Sequence, residues 1–397
     1  MWNPQTMELM PGFWPPRPSR AWDVLLEPLR VYYLRKFYGI SRVELAGREN
    51  LGAIKLGDGA LLAPNHSHDS DPHVMMDVGK TLHRQLYFMA AWQVFLAHHG
   101  IDGWVMQRFG AFSVDREGCD RRAMRQASEI VSRGDWLVVF PEGEIYHTNE
   151  RLTPLREGVA FMALQAQREM DKANGGKSMW VVPTAIKYRY DEDITPALEK
   201  STCELEKRFM IAAHDGDALP QRIVHLGEML LTIKEKETLG HTQEALGDLP
   251  ARLNAMINTL LASMETKQFG KTSDGDSVPL RVKVLRRALL EKMCDQAADD
   301  KVRHEAHDML DDLHLVLQLY SYPGDYITAK PSVERMAETI EKFEEDTTGV
   351  AFPKGKRTAV VRLGQPIEVK PMAGGRARAA TGDLTAKLED AIRALMK

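Results

Sequence analysis

The sequence has 397 residues, of which 44% are hydrophobic and 27% are charged, a composition typical of a folded, soluble protein with room for two structural units. The net charge of −4 gives no reason to expect nucleic acid, because that partner requires a concentrated basic face. No apolar run approaches the ~18–20 residues that span a bilayer, and the N-terminus lacks the basic and apolar regions of a signal peptide.

Residues 1–39 are rich in aromatic side chains, and from 21 to 38 apolar residues recur at helical spacing with basic residues between them. The aromatic and apolar residues are Trp2, Phe13, Trp14, Trp22, Leu25, Leu26, Leu29, Tyr32, Tyr33 and Phe37, and the basic residues are Arg30, Arg35 and Lys36. Such an amphipathic segment suits an anionic membrane surface. A helix that packs on its own domain, with Pro28 at its start or at a kink, is an equal alternative.

From residue 40 to 190 the sequence alternates short apolar runs with stretches of helical periodicity. The predicted strands are Arg42–Ala46, Ala60–Ala63, Leu86–Ala90, Trp136–Phe140 and Met179–Tyr188. Apolar residues at 123–131 and 159–166 each fall on one helix face. This alternation predicts an α/β domain with a largely parallel sheet flanked by helices.

Residues 191–356 show helical periodicity without an evident fixed-period repeat, and Tyr322-Pro323-Gly324-Asp325 predicts a turn within them. Strand character returns at Thr358–Ile367, and a last amphipathic helix follows. Because a lone strand needs a sheet to join, we expect residues 357–397 to complete the α/β domain. Residues 191–356 are then a helical insertion.

A candidate site follows the predicted strand at 60–63, in the segment Asn65-His66-Ser67-His68-Asp69-Ser70-Asp71-Pro72. Loops at strand ends are where α/β folds place their chemistry. A neutral imidazole can take a proton from a hydroxyl near neutral pH, and a carboxylate on its other nitrogen fixes the tautomer. His66 and Asp71 are therefore the candidate catalytic residues.

Three later segments follow this one in order, namely Gly110-Ala111-Phe112-Ser113-Val114-Asp115-Arg116, Phe140-Pro141-Glu142-Gly143 and Val181-Val182-Pro183-Thr184. Together the four segments resemble the motif blocks of the phospholipid/glycerol acyltransferase family, over roughly residues 40–190. The segment Pro154-Leu155-Arg156-Glu157-Gly158 is also similar to the family. A His-x-x-x-x-Asp pair alone is a weak signal, whereas four blocks in order are a strong one.

The resemblance implies a role for each matching residue. His66 resembles the general base that deprotonates the acceptor hydroxyl, and Asp71 resembles the carboxylate that orients it. The implied substrate-binding residues are Arg116 as a phosphate ligand, Gly110 in the second block, Glu142 and Gly143 in the third, and Pro183 near the acyl-donor site. A guanidinium group fits phosphate oxygens in a bidentate manner, which is consistent with the role of Arg116.

The third block departs from the family pattern. The family commonly continues with Thr-Arg-Ser, whereas this chain has Glu144-Ile145-Tyr146. The missing arginine removes one expected phosphate contact, and Glu144 adds an unfavourable charge. Tafazzin-like transacylases also lack that arginine and share an Asp-Pro pair like Asp71-Pro72. The expected acceptor is therefore not restricted to glycerol 3-phosphate or lysophosphatidate.

Structural interpretations of the same residues remain open. Asp71 before Pro72 suits a helix N-cap, Arg116 has Asp115 and Asp120 nearby as ion-pair partners, and Glu142 suits an acid near the next helix.

Two alternative functions also remain. One is a metal-dependent hydrolase that uses His66, His68 and Asp71, although the metallo-β-lactamase pattern fails at Ser70 and Asp71. The other is a catalytically inactive lipid-binding module.

The sequence therefore predicts an O-acyltransferase that moves a fatty acyl group from acyl-CoA or acyl-carrier protein to a lysophospholipid or glycerol-phosphate-type acceptor. We expect no metal or other cofactor, and a membrane surface as partner. The cysteines Cys119, Cys203 and Cys294 lie far apart and are typical of reduced thiols. The expected location is therefore cytoplasmic, with peripheral attachment to the inner face of the membrane.

Overall fold

A computed structural model describes residues 12–397 except 117, 119, 174–175, 213–215, 274, 296–298 and 371–376. The described chain divides into two compact units. The α/β unit comprises Pro11–Glu192 and Gly355–Lys397, and the helical unit comprises Asp193–Lys354. Cys203 is a free thiol, whereas Cys119 and the side chain of Cys294 lie outside the described part.

The first elements of the α/β unit are α1 (Arg20–Phe37), β1 (Ile40–Ala46), β2 (Gly59–Pro64), α2 (Asp71–Thr81), β3 (Leu86–Ala91), α3 (Ile101–Arg108), β4 (Ala111–Val114), α4 (Arg121–Ser132), β5 (Trp136–Val138), α5 (Gly158–Lys172) and β6 (Met179–Tyr190). The helical unit contains α6 (Thr195–Arg208), α7 (Leu219–Leu239), α8 (Leu249–Phe269), α9 (Val278–Cys294), α10 (Asp300–Tyr320), α11 (Tyr326–Ala329) and α12 (Val333–Thr348). The chain then returns to the α/β unit with β7 (Arg357–Leu363), β8 (Ile367–Glu368) and α13 (Ala377–Leu395).

Among the described residues, eight strands form one sheet in the order β1-β7-β6-β2-β5-β3-β4, with β8 paired to β6. The pairs β1–β7, β2–β6, β2–β5, β3–β5 and β3–β4 are parallel, and β7 and β8 run antiparallel to β6. The predicted α/β class with a largely parallel sheet is confirmed. The strand near Val360 joins this sheet as predicted, because Val361 pairs with Ile186.

Strand β2 lies at the centre of the sheet and is buried along its whole length. Ala60 and Leu62 pack into the core layer that contains α2, whereas Leu61 and Ala63 pack into the layer that contains α4, α5 and α13. Burial on both faces explains why β2 reads as a continuous apolar run rather than an alternating one. The one strand in the second block, β4, is short and was not among the predicted strands.

Helices α7 and α8 share residues at six matching positions. The matching pairs are Leu219 and Leu249, Pro220 and Pro250, Arg222 and Arg252, Leu231 and Leu261, Glu235 and Glu265, and Gly240 and Gly270. Helix α9 begins in the same way, with Val278-Pro279 and Arg281.

The repeated charges join consecutive helices through buried ion pairs. Arg252 near the start of α8 donates to Glu235 near the end of α7 at 3.1 Å and 2.7 Å. Arg281 near the start of α9 donates to Glu265 near the end of α8 at 2.9 Å and 2.8 Å. A buried ion pair that loses one partner leaves an uncompensated charge, so each helix depends on its predecessor.

Replacing Arg252 with methionine should lower the free energy of unfolding by about 3–5 kcal/mol, because the Glu235 carboxylate would remain buried without its partner. The matched control is Glu237→Gln, which breaks the exposed pair with Lys234 and should change stability by less than about 1 kcal/mol. Urea unfolding followed by far-ultraviolet circular dichroism measures both. Equal effects of the two substitutions would show that the buried pair has no special role.

Candidate active site

Two amide side chains, Asn65 in the loop after β2 and Asn149 in the loop after β5, bind the backbone of β6. Asn65 Nδ2 donates to Ile186 O at 3.0 Å, and its Oδ1 accepts from Ile186 N at 2.7 Å. Asn149 makes the same pair of bonds with the backbone of Tyr188, both at 2.7 Å. These side chains continue the hydrogen bonding of the sheet where β2 has ended at Pro64. They satisfy buried backbone groups that would otherwise be costly.

His66 and Asp71 come together at the end of this loop. His66 Nδ1 lies 2.9 Å from Asp71 Oδ2, and the Asp71 side chain is fully buried. The same oxygen accepts from the backbone N–H of Ser67 at 2.8 Å and of His68 at 2.9 Å. Tyr188 donates its hydroxyl hydrogen to Asp71 Oδ1. A carboxylate facing Nδ1 favours the tautomer with its proton on that nitrogen, which leaves Nε2 free to accept one.

Asp71 is the first residue of α2 rather than its N-cap, and Pro72 follows within the first turn. The carboxylate binds the backbone of the preceding loop instead of the free N–H groups of the helix. Asp71 therefore fixes the shape of the loop that carries His66.

The third block lies behind His66. The Phe140 ring stacks on the His66 ring with centroids 3.9 Å apart. Glu142 Oε1 accepts from His66 N at 2.6 Å, and its Oε2 accepts from Thr153 N at 3.0 Å and from the Thr153 hydroxyl. Burial raises the pKa of Glu142, although these hydrogen bonds act in the opposite direction. Glu142 thus ties the loop after β5 to the backbone of His66.

Arg116 contacts the residues that follow Glu142. Its Nη1 donates to Gly143 O at 2.7 Å and to Glu144 Oε2 at 3.0 Å. Asp120 instead accepts from the backbone N–H groups of Asp115, Arg122 and Ala123 and so caps α4. The second and third blocks therefore meet through Arg116.

The two remaining predicted site residues are placed differently. Pro183 lies in β6 opposite Ala63, close to the end of β2. Gly110 precedes β4 with φ +87° and packs against Gln85 and Leu86, at the start of β3. His66 follows the opposite, carboxyl end of the parallel strands, so the structure does not bring Gly110 to the site. The glycine serves the turn from α3 into β4, where a side chain would be strained.

His68 belongs to a neighbouring hydrogen-bond network. Its Nδ1 lies 2.8 Å from Ser70 Oγ, which in turn lies 2.9 Å from the hydroxyl of Tyr188. Burial lowers the pKa of His68 well below its usual value, so the ring is neutral at pH 7. Within the described residues, no group of three or more His, Cys, Asp or Glu side chains is arranged to hold a metal ion. The cluster of His66, His68 and Asp71 is thus committed to hydrogen bonds.

Several residues at the site carried no sequence signal. Tyr188, Asn149 and Thr153 lie far from the first block in sequence and belong to no recognised spacing. Arg156 lies in a segment that is similar to the family, and that similarity was its only signal.

Helix α1 packs beside the site. Its buried side carries a charged residue, whereas its exposed side carries apolar residues. Arg30 is 4% exposed, donates to His73 O at 2.9 Å and pairs with Glu27 and Asp77, which fixes α1 to α2. The outward apolar side chains are largely exposed, including Leu25 at 64%, Leu29 at 63% and Tyr32 at 54%.

Trp14 before α1 and Trp22 in its first turns are packed within the α/β unit. Trp14 stacks on Phe95, and Trp22 contacts Trp104 edge to face. One face of α1 therefore packs on its own domain and the other is apolar and exposed, while the membrane interpretation stays a prediction. No helix among the described residues has the length and apolar character required to span a bilayer.

Residues 42–187 match the family model described as Acyltransferase. A comparison with curated protein sequences finds no match. The matched segment contains all four blocks, so the resemblance to the phospholipid/glycerol acyltransferase family is confirmed. This domain supports a general acyltransferase function.

Replacing Glu142 with glutamine should lower the free energy of unfolding of the α/β unit by about 1–3 kcal/mol at pH 7, because an amide cannot accept from both His66 N and Thr153 N. Urea unfolding followed by tryptophan fluorescence measures this, since the tryptophans from Trp14 to Trp180 belong to that unit. Glu129→Gln, on the exposed face of α4, is the control. Indistinguishable unfolding curves for the two variants would contradict the role assigned to Glu142.

Proposed function

We propose that the acyltransferase-family domain at residues 42–187 moves a fatty acyl group from an acyl thioester to the hydroxyl of a lysophospholipid or glycerol-phosphate-type acceptor. The observation that carries this proposal is the pairing of His66 Nδ1 with the buried carboxylate of Asp71 at 2.9 Å. Acyl-CoA and acyl-carrier protein are the two donors considered. Either supplies a thiolate leaving group, so the main barrier is activation of the acceptor hydroxyl.

The proposed mechanism follows from the pairing of His66 with Asp71, which keeps a proton on Nδ1 and leaves Nε2 free to accept one. Nε2 of His66 takes the proton from the acceptor hydroxyl while its oxygen attacks the thioester carbonyl carbon. The tetrahedral intermediate collapses, the C–S bond breaks, and the proton on His66 passes to the leaving sulfur. Asp71 keeps the ring oriented and stabilises its transient positive charge. The His66 side chain is 13% exposed, which leaves an edge of the ring within reach of a substrate.

The remaining predicted site residues are proposed to bind the substrates or to shape the loop beside His66. Arg116 is proposed as a ligand for the acceptor phosphate, since its side chain is 31% exposed beside the loop that bonds to His66. Glu142 and Gly143 hold and shape that loop. Pro183, opposite Ala63 in β6, is proposed to lie near the acyl donor. Metal-dependent hydrolysis, the alternative, receives no support from the hydrogen bonds that His66 and His68 make.

We further propose that α1 rests on the membrane. An apolar face held outward by the buried Arg30 anchor requires a partner, and a lipid acceptor must enter from a bilayer. Basic residues at the end of the helix, Arg35 and Lys36, suit anionic headgroups. Tyr38, just after α1, contacts the His68 ring at 5.2 Å between centroids, so this helix end lies beside the site. The proposed location is the cytoplasmic face of the inner membrane.

Removing the general base should abolish most turnover without unfolding the protein. We expect His66→Ala to reduce kcat by roughly 10²–10⁴-fold, because general-base help is typically of that size. Asp71→Asn should reduce kcat by less if the ring stays oriented. The matched control is His307→Ala, which removes an exposed histidine that faces Asp311 on α10. Thiol release from an acyl thioester, measured in the presence of a lysolipid, gives the rates.

Full activity in His66→Ala would refute the mechanism. The same assay with a strong chelator tests the alternative function, because acyl transfer by this dyad requires no metal. Turnover that a chelator abolishes and zinc restores would favour the metal-dependent hydrolase.

Placing charges on the apolar face of α1 should release the protein from membranes. We expect Leu25→Glu combined with Leu29→Glu to weaken co-sedimentation with vesicles containing phosphatidylglycerol by at least about tenfold, because each charge would have to enter the lipid interface. Met210→Glu is the control, since Met210 is 92% exposed but lies in the helical unit. Unchanged co-sedimentation of the double variant at both low and high salt would contradict the proposal.

A further inference from the structure

Glu144 lies between two arginine side chains. Its Oε2 accepts from Arg116 Nη1 at 3.0 Å, and its Oε1 lies 3.9 Å from Arg156 Nη2. All three side chains are partly exposed, Glu144 at 18%, Arg116 at 31% and Arg156 at 32%. A substrate therefore has access to this group, which we call the Arg–Glu–Arg cluster.

The backbone of the third block makes room for this cluster. Gly143 has φ +77°, and a Cβ at that position would lie only 2.6–2.8 Å from Nε, Cδ and Cζ of Arg156. Any other residue would therefore be strained and would push the Arg156 guanidinium away. Gly143 directly follows Glu142, which binds the backbone of His66, so the cluster adjoins the catalytic loop.

Arg116 has hydrogen-bonding capacity left for a ligand. Its Nη1 serves Gly143 and Glu144, whereas its buried Nε makes no hydrogen bond to any described residue. A guanidinium group whose donors are only partly engaged can still donate to an anionic oxygen. The neighbouring Glu144 carboxylate limits the negative charge of a ligand that can bind here.

The charge of the cluster distinguishes two kinds of acceptor. Two guanidinium groups and one carboxylate carry a net charge of about +1, which balances a phosphodiester at about −1. A phosphate monoester carries about −1.5 to −2 at pH 7 and would place excess negative charge beside Glu144. Without that carboxylate, the two arginines would balance the monoester instead.

We propose that Glu144 is a specificity-determining residue that selects lysophospholipid acceptors with a phosphodiester headgroup and discriminates against those with a phosphate monoester. This inference rests on the proposed function and adds the class of acceptor to it. The Glu144 carboxylate neutralises one of the two guanidinium charges, which would otherwise balance the second negative charge of a phosphate monoester.

The test compares two lysolipids with the same acyl chain, lysophosphatidate as the monoester and lysophosphatidylglycerol as the diester. Their dissociation constants are measured with the full chain in micelles of an uncharged detergent, for the wild type, Glu144→Gln and the exposed control Glu129→Gln. Glutamine keeps the size of the side chain and an oxygen that can accept from Arg116. Acyl transfer to both lysolipids is measured in parallel.

Glu144→Gln should tighten binding of lysophosphatidate by about tenfold and change binding of lysophosphatidylglycerol by less than about threefold, because only the monoester meets excess charge. Adding Arg116→Gln should remove that gain. Glu144→Ala should change the ratio of the two dissociation constants in the same direction. This second variant shows that the change comes from loss of the carboxylate and not from a new contact of the glutamine side chain.

An unchanged ratio of the two dissociation constants in a folded Glu144→Gln protein would overturn the inference, even if acyl transfer is observed. A changed ratio without any acyl transfer would leave the inference about headgroup binding intact and overturn the proposed function. Thermal unfolding of each variant confirms that the comparison is between folded proteins.

Discussion

The carboxylate of Asp71 is fully buried, and a charge in that position is tolerable only when donors surround it. Those donors are the His66 ring, two backbone N–H groups of the same loop and the hydroxyl of Tyr188. Tyr188 is fixed in turn by Asn149 and by pairing of β6 with β7. The loop that carries His66 and Asp71 therefore depends on β7, a strand that follows the helical unit in the sequence.

The same physical requirement shapes the third block. Glu142 is a second buried carboxylate, and its donors come from His66 and Thr153, so it connects two loops that are distant in sequence. Glu144, two residues later, is partly exposed and faces Arg116 and Arg156. The buried carboxylate of Glu142 thus fixes the loop, and we propose that the partly exposed carboxylate of Glu144 sets the charge that a ligand meets.

Much of this arrangement was predictable from sequence, because strands such as β2 are buried on both faces and appear as continuous apolar runs. The pairing of His66 with Asp71 followed from their short spacing across one loop. The positions of Tyr188 and Asn149 in the site were not predictable from sequence. Their contacts depend on the order of the strands, and on the Asn149 side chain making hydrogen bonds to β6 that a neighbouring strand would otherwise make. Gly110 was predicted at the site because it belongs to the second block. That block spans both ends of β4, and Gly110 lies at the end that faces away from His66. The ion pairs that join α7 to α8 and α8 to α9 were not predictable, because their partners meet only in three dimensions.

The proposed reaction is direct transfer of an acyl group from a thioester to a lipid hydroxyl at His66. Mass spectrometry of the products formed from a panel of acyl thioesters and lysolipids tests this reaction most directly. We expect a lysolipid that has gained one acyl chain, together with one equivalent of free thiol. Release of free fatty acid as the sole acyl product, with every lysolipid unchanged, would contradict it and identify the chain as a hydrolase.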